Sequence, residues 1–218
     1  MREIKKKQTA LVFIGTFNPP TYQPWWFEVN ELIGAGTAKA AEPKIIHSQV
    51  TQFSIGWAEI QVTQNRFSIT TSDEGREEAI YDLGRSTCLR TSSPVSAFGI
   101  NVAAHFPVEN PAVLDKIGHS LVPKEYVWKG IFKDPKTRTV AVQELREGSV
   151  PGGMSVTIEA SVHTQPGIFV GINDHFETVD KTGKPLASEA SMKILEDNWP
   201  LTIARSRDII AKMLELLK

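Results

Sequence analysis

The chain has a single cysteine, Cys88, so an intrachain disulfide is excluded and the usage fits a reducing compartment. It also lacks an excess of charge of either sign. With 24 Lys and Arg against 25 Asp and Glu, the formal net charge is −1, which supplies no field for drawing in nucleic acid or an anionic membrane. No apolar run approaches the ~18 residues needed to span a bilayer. Met1 to Lys7 carry the positive charge of a signal peptide's first part. The apolar stretch that follows, Ala10 to Ile14, is shorter than the ~7–15 residues of a signal core. The lysines are therefore expected to form a solvated arm, and the protein to be cytoplasmic. Familiar catalytic signatures are missing too. The chain has no Gly-x-Ser-x-Gly elbow and no phosphate-cradling Gly-x-x-x-x-Gly-Lys. Cys88 stands among apolar and small residues and is expected to be half buried and unreactive.

What is present is ordinary globular material. Hydrophobic residues make up 41% and charged residues 22% of 218 positions, enough for one substantial core in one domain. Two similar halves, about 1–122 and 123–218, are an alternative within that domain.

Ala10–Thr16 is a continuous apolar run stopped by Asn18-Pro19-Pro20, which predicts a buried strand. Trp26, Val29, Leu32 and Ile33 recur at helical spacing, so a helix is expected over Trp25–Ile33, with Gly34 capping it and a loop over Gly34–Lys44. Phe53, Ile55 and Trp57 alternate, then Ala58, Ile60 and Val62 alternate in the opposite phase, which reads as a strand bulged at Gly56. Gln64-Asn65 predicts a turn into a strand at Arg66–Thr71. A short helix is expected at Glu77–Leu83, a strand at Val95–Phe106, and a helix from Asn110-Pro111 to about Leu121. In the second half, Val127–Lys133 and Thr139–Leu145 flank Asp134-Pro135-Lys136 as a hairpin. Val156, Ile158, Ala160 and Val162 alternate with polar residues, as in a strand covered on one face. Pro166-Gly167 turns into Ile168–Glu177, a polar loop covers Asp180–Pro185, and an apolar stripe of Ile203, Ile210, Met213, Leu214 and Leu217 predicts a C-terminal helix. Strands joined by short turns, with helices arriving singly, predict an α+β fold: a mainly antiparallel sheet with helices packed on one face.

Val12 to Thr21, reading Val-Phe-Ile-Gly-Thr-Phe-Asn-Pro-Pro-Thr, resembles the first strand and turn of nucleotidyltransferases. That family continues with His-x-Gly-His, whose imidazoles stabilise the transferring phosphate. Here the stretch is Thr21-Tyr22-Gln23-Pro24, with neither histidine, so the resemblance implies at most a degenerate nucleotide binder with a parallel sheet. The family's later Ser-Thr-x-x-Arg element is matched in letters by Ser86-Thr87-Cys88-Leu89-Arg90. At a helix start, Ser86, Thr87 and Arg90 would form an anion site. The strand rhythm is also similar, in topology only, to uncharacterised bacterial proteins with a strand-helix-hairpin-helix-strand core.

A second signal is internal. Gly99-Ile100-Asn101 through His105-Phe106 and Gly171-Ile172-Asn173 through His175-Phe176 share Gly-Ile-Asn and His-Phe. Strand alternation puts Asn101 and His105 on one face, and Asn173, His175 and Glu177 on one face. Glu159, Ser161 and His163 are the polar side of the preceding strand. If the three strands are neighbours, these residues gather as companions on one sheet face. Such a face suits a small polar ligand or a metal, since His-x-Glu on a strand points both groups the same way. The alternative is a hydrogen-bonded Asn/His ladder.

Tyr22, Trp25 and Trp26 form an aromatic segment beside the Pro-Pro turn. Adjacent Trp25 and Trp26 cannot both face one core from a helix, so an exposed ring available to a partner is expected. No complete catalytic set emerges, and no cofactor or resident metal is expected. The residues favour a non-catalytic protein working through protein contacts, as a homodimer or an accessory subunit, with no membrane and no specific nucleic acid as partner.

Overall fold

The computed structural model describes residues 4–215. Nine strands form one sheet: β1 (Lys6–Gly15), β2 (Glu42–Ile46), β3 (Val50–Ser54), β4 (Glu59–Thr63), β5 (Arg66–Thr71), β6 (Val95–Pro107), β7 (Thr139–Arg146), β8 (Gly152–Ala160) and β9 (Gly167–Glu177). Five helices accompany them: α1 (Pro24–Val29), α2 (Thr37–Ala40), α3 (Glu77–Thr91), α4 (Pro111–Leu121) and α5 (Ser188–Glu215). The strand order is β2-β3-β4-β5-β1-β6-β9-β8-β7, with every neighbouring pair antiparallel. The fold is α+β, as the strand rhythm implies. Because β1 is antiparallel to both β5 and β6, the likeness of Val12–Thr21 to a nucleotidyltransferase is confined to one strand and its turn.

The order is built from two runs of one plan. A central strand (β1 or β6) leads through helix into a meander that returns to its side, and each run closes with a long helix, α3 or α5. β1 and β6 lie side by side where the runs meet. An Asn-Pro step follows each, Asn18-Pro19 after β1 and Asn110-Pro111 after β6; Asn110 Oδ1 accepts from the Val113 amide at 3.2 Å, whereas Asn18 makes no such cap. Residue 122 follows α4, inside the second run.

One sheet face is apolar and covered. Leu11, Phe13, Phe67, Ile69, Ile100, Val102, Ile172 and Phe176 point to it and are buried. α3 packs on β1 and β5, and α5 on β6 and β9. Rings stack through the middle, Phe13 on Phe67 at 5.7 Å and Phe98 on Phe176 at 4.8 Å. Gly84 lets α3 approach β1: a Cβ there would lie 2.7 Å from Leu11 Cδ2 and 3.0 Å from Phe13 Cε2. Among the described residues the opposite face carries no helix, and its centre is lined by small residues such as Ala10, Ala103 and Gly171.

Several local expectations are corrected. The lysine arm is partly strand, since β1 begins at Lys6 and Lys7 pairs with Glu77 at 2.9 Å; Met1 to Glu3 lie outside the described residues. α1 ends at Val29, short of Ile33, because Glu31 takes the left-handed conformation at φ 58. Gly34–Lys44 contains α2 and the start of β2. The phase change at Gly56 is a hairpin turn between β3 and β4, with Gly56 at φ 76, not a bulge. The helix expected at Glu77–Leu83 runs on to Thr91. Val127–Lys133 forms turns; β7 pairs with β8 instead. Val162 lies beyond β8 and is exposed, and Leu217 lies outside the described residues.

Candidate functional site

The internal repeat puts its two asparagines face to face. β6 and β9 pair with Asn101 opposite Asn173, and the Asn173 Nδ2 donates to Asn101 Oδ1 at 2.6 Å. Asn101 Nδ2 in turn donates to the Gly99 carbonyl at 3.2 Å. On the far side of β9, Asn173 faces Ser155 of β8. The order β6-β9-β8 thus makes the three strands neighbours, as the shared-face reading requires. A shallow hollow of about 270 Å³ lies over them, lined by Gln8, Asn101, Ser155, Thr157, Phe169 and Asn173 among others.

The histidines do not join this group. His105 pairs in register with Phe169, whereas His175 pairs with Gly99, six residues away along β6, so the two rings sit at opposite ends of the ladder. The four do share one face, but as one asparagine pair with its histidines apart, which corrects their expected companionship. The reason is geometric: an antiparallel pairing centred on Asn101 and Asn173 sends the following His of each strand in opposite directions. His105 is buried under the chain beyond β8, with Nδ1 2.8 Å from Ser161 Oγ and its ring 4.5 Å from that of His163. Burial first, then His163 and Lys6, hold its pKa below the ordinary histidine value. Glu177 is exposed at the end of β9, and Glu159 accepts from Thr139 at 3.4 Å. Among the described residues, no group of three His, Cys, Asp or Glu is placed to hold a metal ion.

Ser86, Thr87 and Arg90 lie within α3, not at a helix start, which removes the N-terminal anion geometry. Thr87 is buried and donates to the Leu83 carbonyl at 2.7 Å. Ser86 faces a different hollow, beside Leu83 and Trp57. Only Arg90, in the last turn, reaches the cleft beside the Asn18 turn. Cys88 is fully buried, beyond the half-burial expected, and desolvation pushes its thiol far above the ordinary value.

The aromatic segment divides. Trp25 is 55% exposed and Trp26 half-buried, while Tyr22 is buried and bonds Ser93 Oγ at 3.0 Å, so Tyr22 is not available to a partner. Burial raises the Tyr22 phenol.

Sequence reading missed the most exposed apolar surface. Tyr126 (90% exposed), Val127, Ile131 and Phe132 stand out in the segment read as a strand, next to the edge strand β7, where Val142 is 64% and Leu145 71% exposed. The signal was available as a density of aromatics around Gly130 too irregular for either periodicity. It also missed a partly buried ion pair on the covered face. Arg146 bonds Asp174, whose other oxygen accepts from Thr202 at 2.6 Å, and the guanidinium lies 4.0 Å from the Phe176 ring centre.

No protein-family model matches this chain, and no curated protein matches its sequence. Among the described residues no helix is long and apolar enough to cross a membrane.

Proposed function

We propose that this is a non-catalytic cytoplasmic protein that acts through protein contacts, pairing with a second copy of itself along β7. The observation that carries the reading is a contrast between the two sheet edges. β2, Glu42-Pro43-Lys44-Ile45-Ile46, is short, holds a proline and a lysine, and is irregular between Pro43 and Ile45. Those are the devices that keep an edge from pairing. β7, Thr139-Val140-Ala141-Val142-Gln143-Glu144-Leu145-Arg146, has none of them over eight residues, and it carries exposed Val142 on one face and exposed Leu145 on the other.

The strand is also complementary to itself. An antiparallel pairing centred on Ala141 sets Val140 against Val142 of the second copy, and Arg138 against Glu144 of the second copy, each twice by symmetry. Arg138 makes no ion pair within the described chain, and Glu144 holds only the exposed Arg205. The aromatic segment Tyr126–Phe132, just before β7, would flank the new seam.

Size-exclusion chromatography with light scattering tests this. A mass twice the 24.1 kDa chain is expected, with Val142→Lys giving a folded monomer. Arg138→Glu should weaken the dimer, and adding Glu144→Arg should restore it if the register is right. A monomeric wild-type chain at micromolar concentration overturns the reading.

A second reading, binding of a small neutral ligand over the Asn101–Asn173 pair, is supported by unused hydrogen-bonding groups at Gln8, Ser155 and Thr157 in the hollow. Thermal-shift screening with neutral sugars and short peptides, repeated on Asn173→Ala, addresses it. Stabilisation that persists in the variant counts against it.

A further inference from the structure

The two segments that stand out in the sequence, Thr16 to Thr21 and Ser86 to Arg90, end at the same cleft. β1 finishes against the α3–β6 connection: Thr16 N donates to the Pro94 carbonyl at 3.1 Å, and a Cβ at Gly15 would lie only 2.2 Å from that oxygen. This close crossing leaves a cleft of about 520 Å³ between the Asn18 turn, α1 and the end of α3. The volume lies within the ~300–1,000 Å³ common for small-molecule sites.

Its lining has a distinct chemistry. Arg90 is the one charged residue, and no carboxylate lines the cleft. Among the described residues the guanidinium makes a single long hydrogen bond, to the Asn30 carbonyl at 3.5 Å, which leaves most of its N–H groups unspent there. The same cleft carries hydroxyls, and Arg90, Thr16 and Ser92 are exposed at its mouth. Thr16 and Ser92 line the cleft and hold no hydrogen bond through their side chains among the described residues, and Thr21 only accepts, from Asn18 Nδ2 at 3.0 Å. Ser92 is turned there by a left-handed backbone at φ 48 that ends α3. The wall is aromatic. Half-buried Trp26 lines the cleft with its ring 5.5 Å from Tyr22, and Tyr22 is locked by the hydroxyl chain Tyr22–Ser93–Thr91 at 3.0 and 2.9 Å. Tyr22, which backs the Trp26 ring, cannot move without breaking those hydrogen bonds.

We propose that this cleft binds a small aromatic oxyanion: the anion on Arg90 with Thr16, Thr21 and Ser92 donating, and the ring against Trp26. A guanidinium with no carboxylate in the cleft, which hydroxyl-bearing residues also line, selects an oxyanion over a neutral or cationic group. A half-exposed indole on a rigid wall selects a flat apolar body. The site is separate from β7 and stands or falls independently of the dimer.

The test is tryptophan fluorescence and calorimetric titration of the full chain with phenyl phosphate and with benzoate, against phenol and inorganic phosphate as controls. Saturable binding of phenyl phosphate or benzoate is expected, and whichever binds more tightly identifies the anion as phosphate or carboxylate. Phenol and inorganic phosphate should each bind at least tenfold more weakly. Arg90→Gln should weaken binding at least tenfold. Ser92→Gly, which relieves the left-handed backbone and removes a donor, should weaken it a few-fold in a protein that remains folded by circular dichroism. Lys116→Gln, on α4, should leave binding unchanged. No saturation by either aromatic anion, equal affinity in Arg90→Gln, or phenol binding as tightly as the anions would each overturn the proposal. Inorganic phosphate binding as tightly as phenyl phosphate would remove the aromatic half and overturn it as stated.

Discussion

Asn173 donates its amide to Asn101 across the β6–β9 ladder at 2.6 Å, at the register point where two asparagines meet. Asn101 passes its own amide to the Gly99 carbonyl, so the pair runs as a short relay along β6. Gly99 keeps room for it, since a Cβ there would come within 3.1 Å of Asn173 Nδ2. Half-buried amides that satisfy each other pin a strand register more firmly than apolar neighbours do, because a one-residue slip would leave both unpaired.

The same register isolates His105, and its titration should be visible in stability. Its folded-state pKa lies below the ordinary value, chiefly through burial, with His163 and Lys6 facing it and Ser161 as its polar partner. The unfolded chain therefore takes up this proton first as pH falls. The contribution is complete above the ordinary histidine value of ~6.5 and is lost progressively below it. Urea midpoints measured between about pH 7 and about pH 5 should fall more steeply for the wild type than for His105→Gln. Parallel slopes would count against this account.

Asp174 anchors α5 to the sheet through Thr202 and neutralises Arg146 beneath it. Asp174→Asn preserves volume but leaves the guanidinium without its counter-charge. A loss of about 2–3 kcal/mol is expected by urea denaturation, below the ~3–5 of a fully buried pair because Arg146 keeps some contact with solvent. Arg146→Met keeps the packing on Phe176 but leaves the more buried Asp174 carboxylate with only Thr202, so it should cost at least as much. A clearly smaller loss would mean that charge compensation of Asp174 does not hold the joint.

Gly84 offers a sharper test of packing than of propensity. Alanine in a helix interior is favoured over glycine by ~1 kcal/mol. Here its methyl would meet Leu11 and Phe13, both fully buried, at 2.7 and 3.0 Å. Gly84→Ala is expected to destabilise by about 1–2 kcal/mol overall, the overlap outweighing the helix gain. Stabilisation in a thermal melt would show that α3 can lift off β1 at little cost.

These sites also show where sequence reading succeeds and where it stops. Alternation of Val156, Ile158 and Ala160 marks β8, and Asn110-Pro111 marks the start of α4, because a strand's faces and a helix cap are local properties. α3 was read too short because Gly84 and the Ser-Thr run after it look like a helix end. Its continuation rests on contact with β1, which no local signal reports. The aromatic run Tyr126–Phe132 looks like core in sequence yet is exposed, since only the placement of β7 beside β8 leaves it outside the sheet.

The order of residues alone determined that this chain forms an antiparallel α+β sheet with one apolar face, because side-chain periodicity and turn residues act within a few positions. Tertiary structure decided which polar residues meet. Asn101 finds Asn173 while His105 and His175 part, and Arg90 comes to the Asn18 turn, because partnership across a sheet depends on strand order and register. Those are set by the packing of the whole chain, and no short stretch of it contains them.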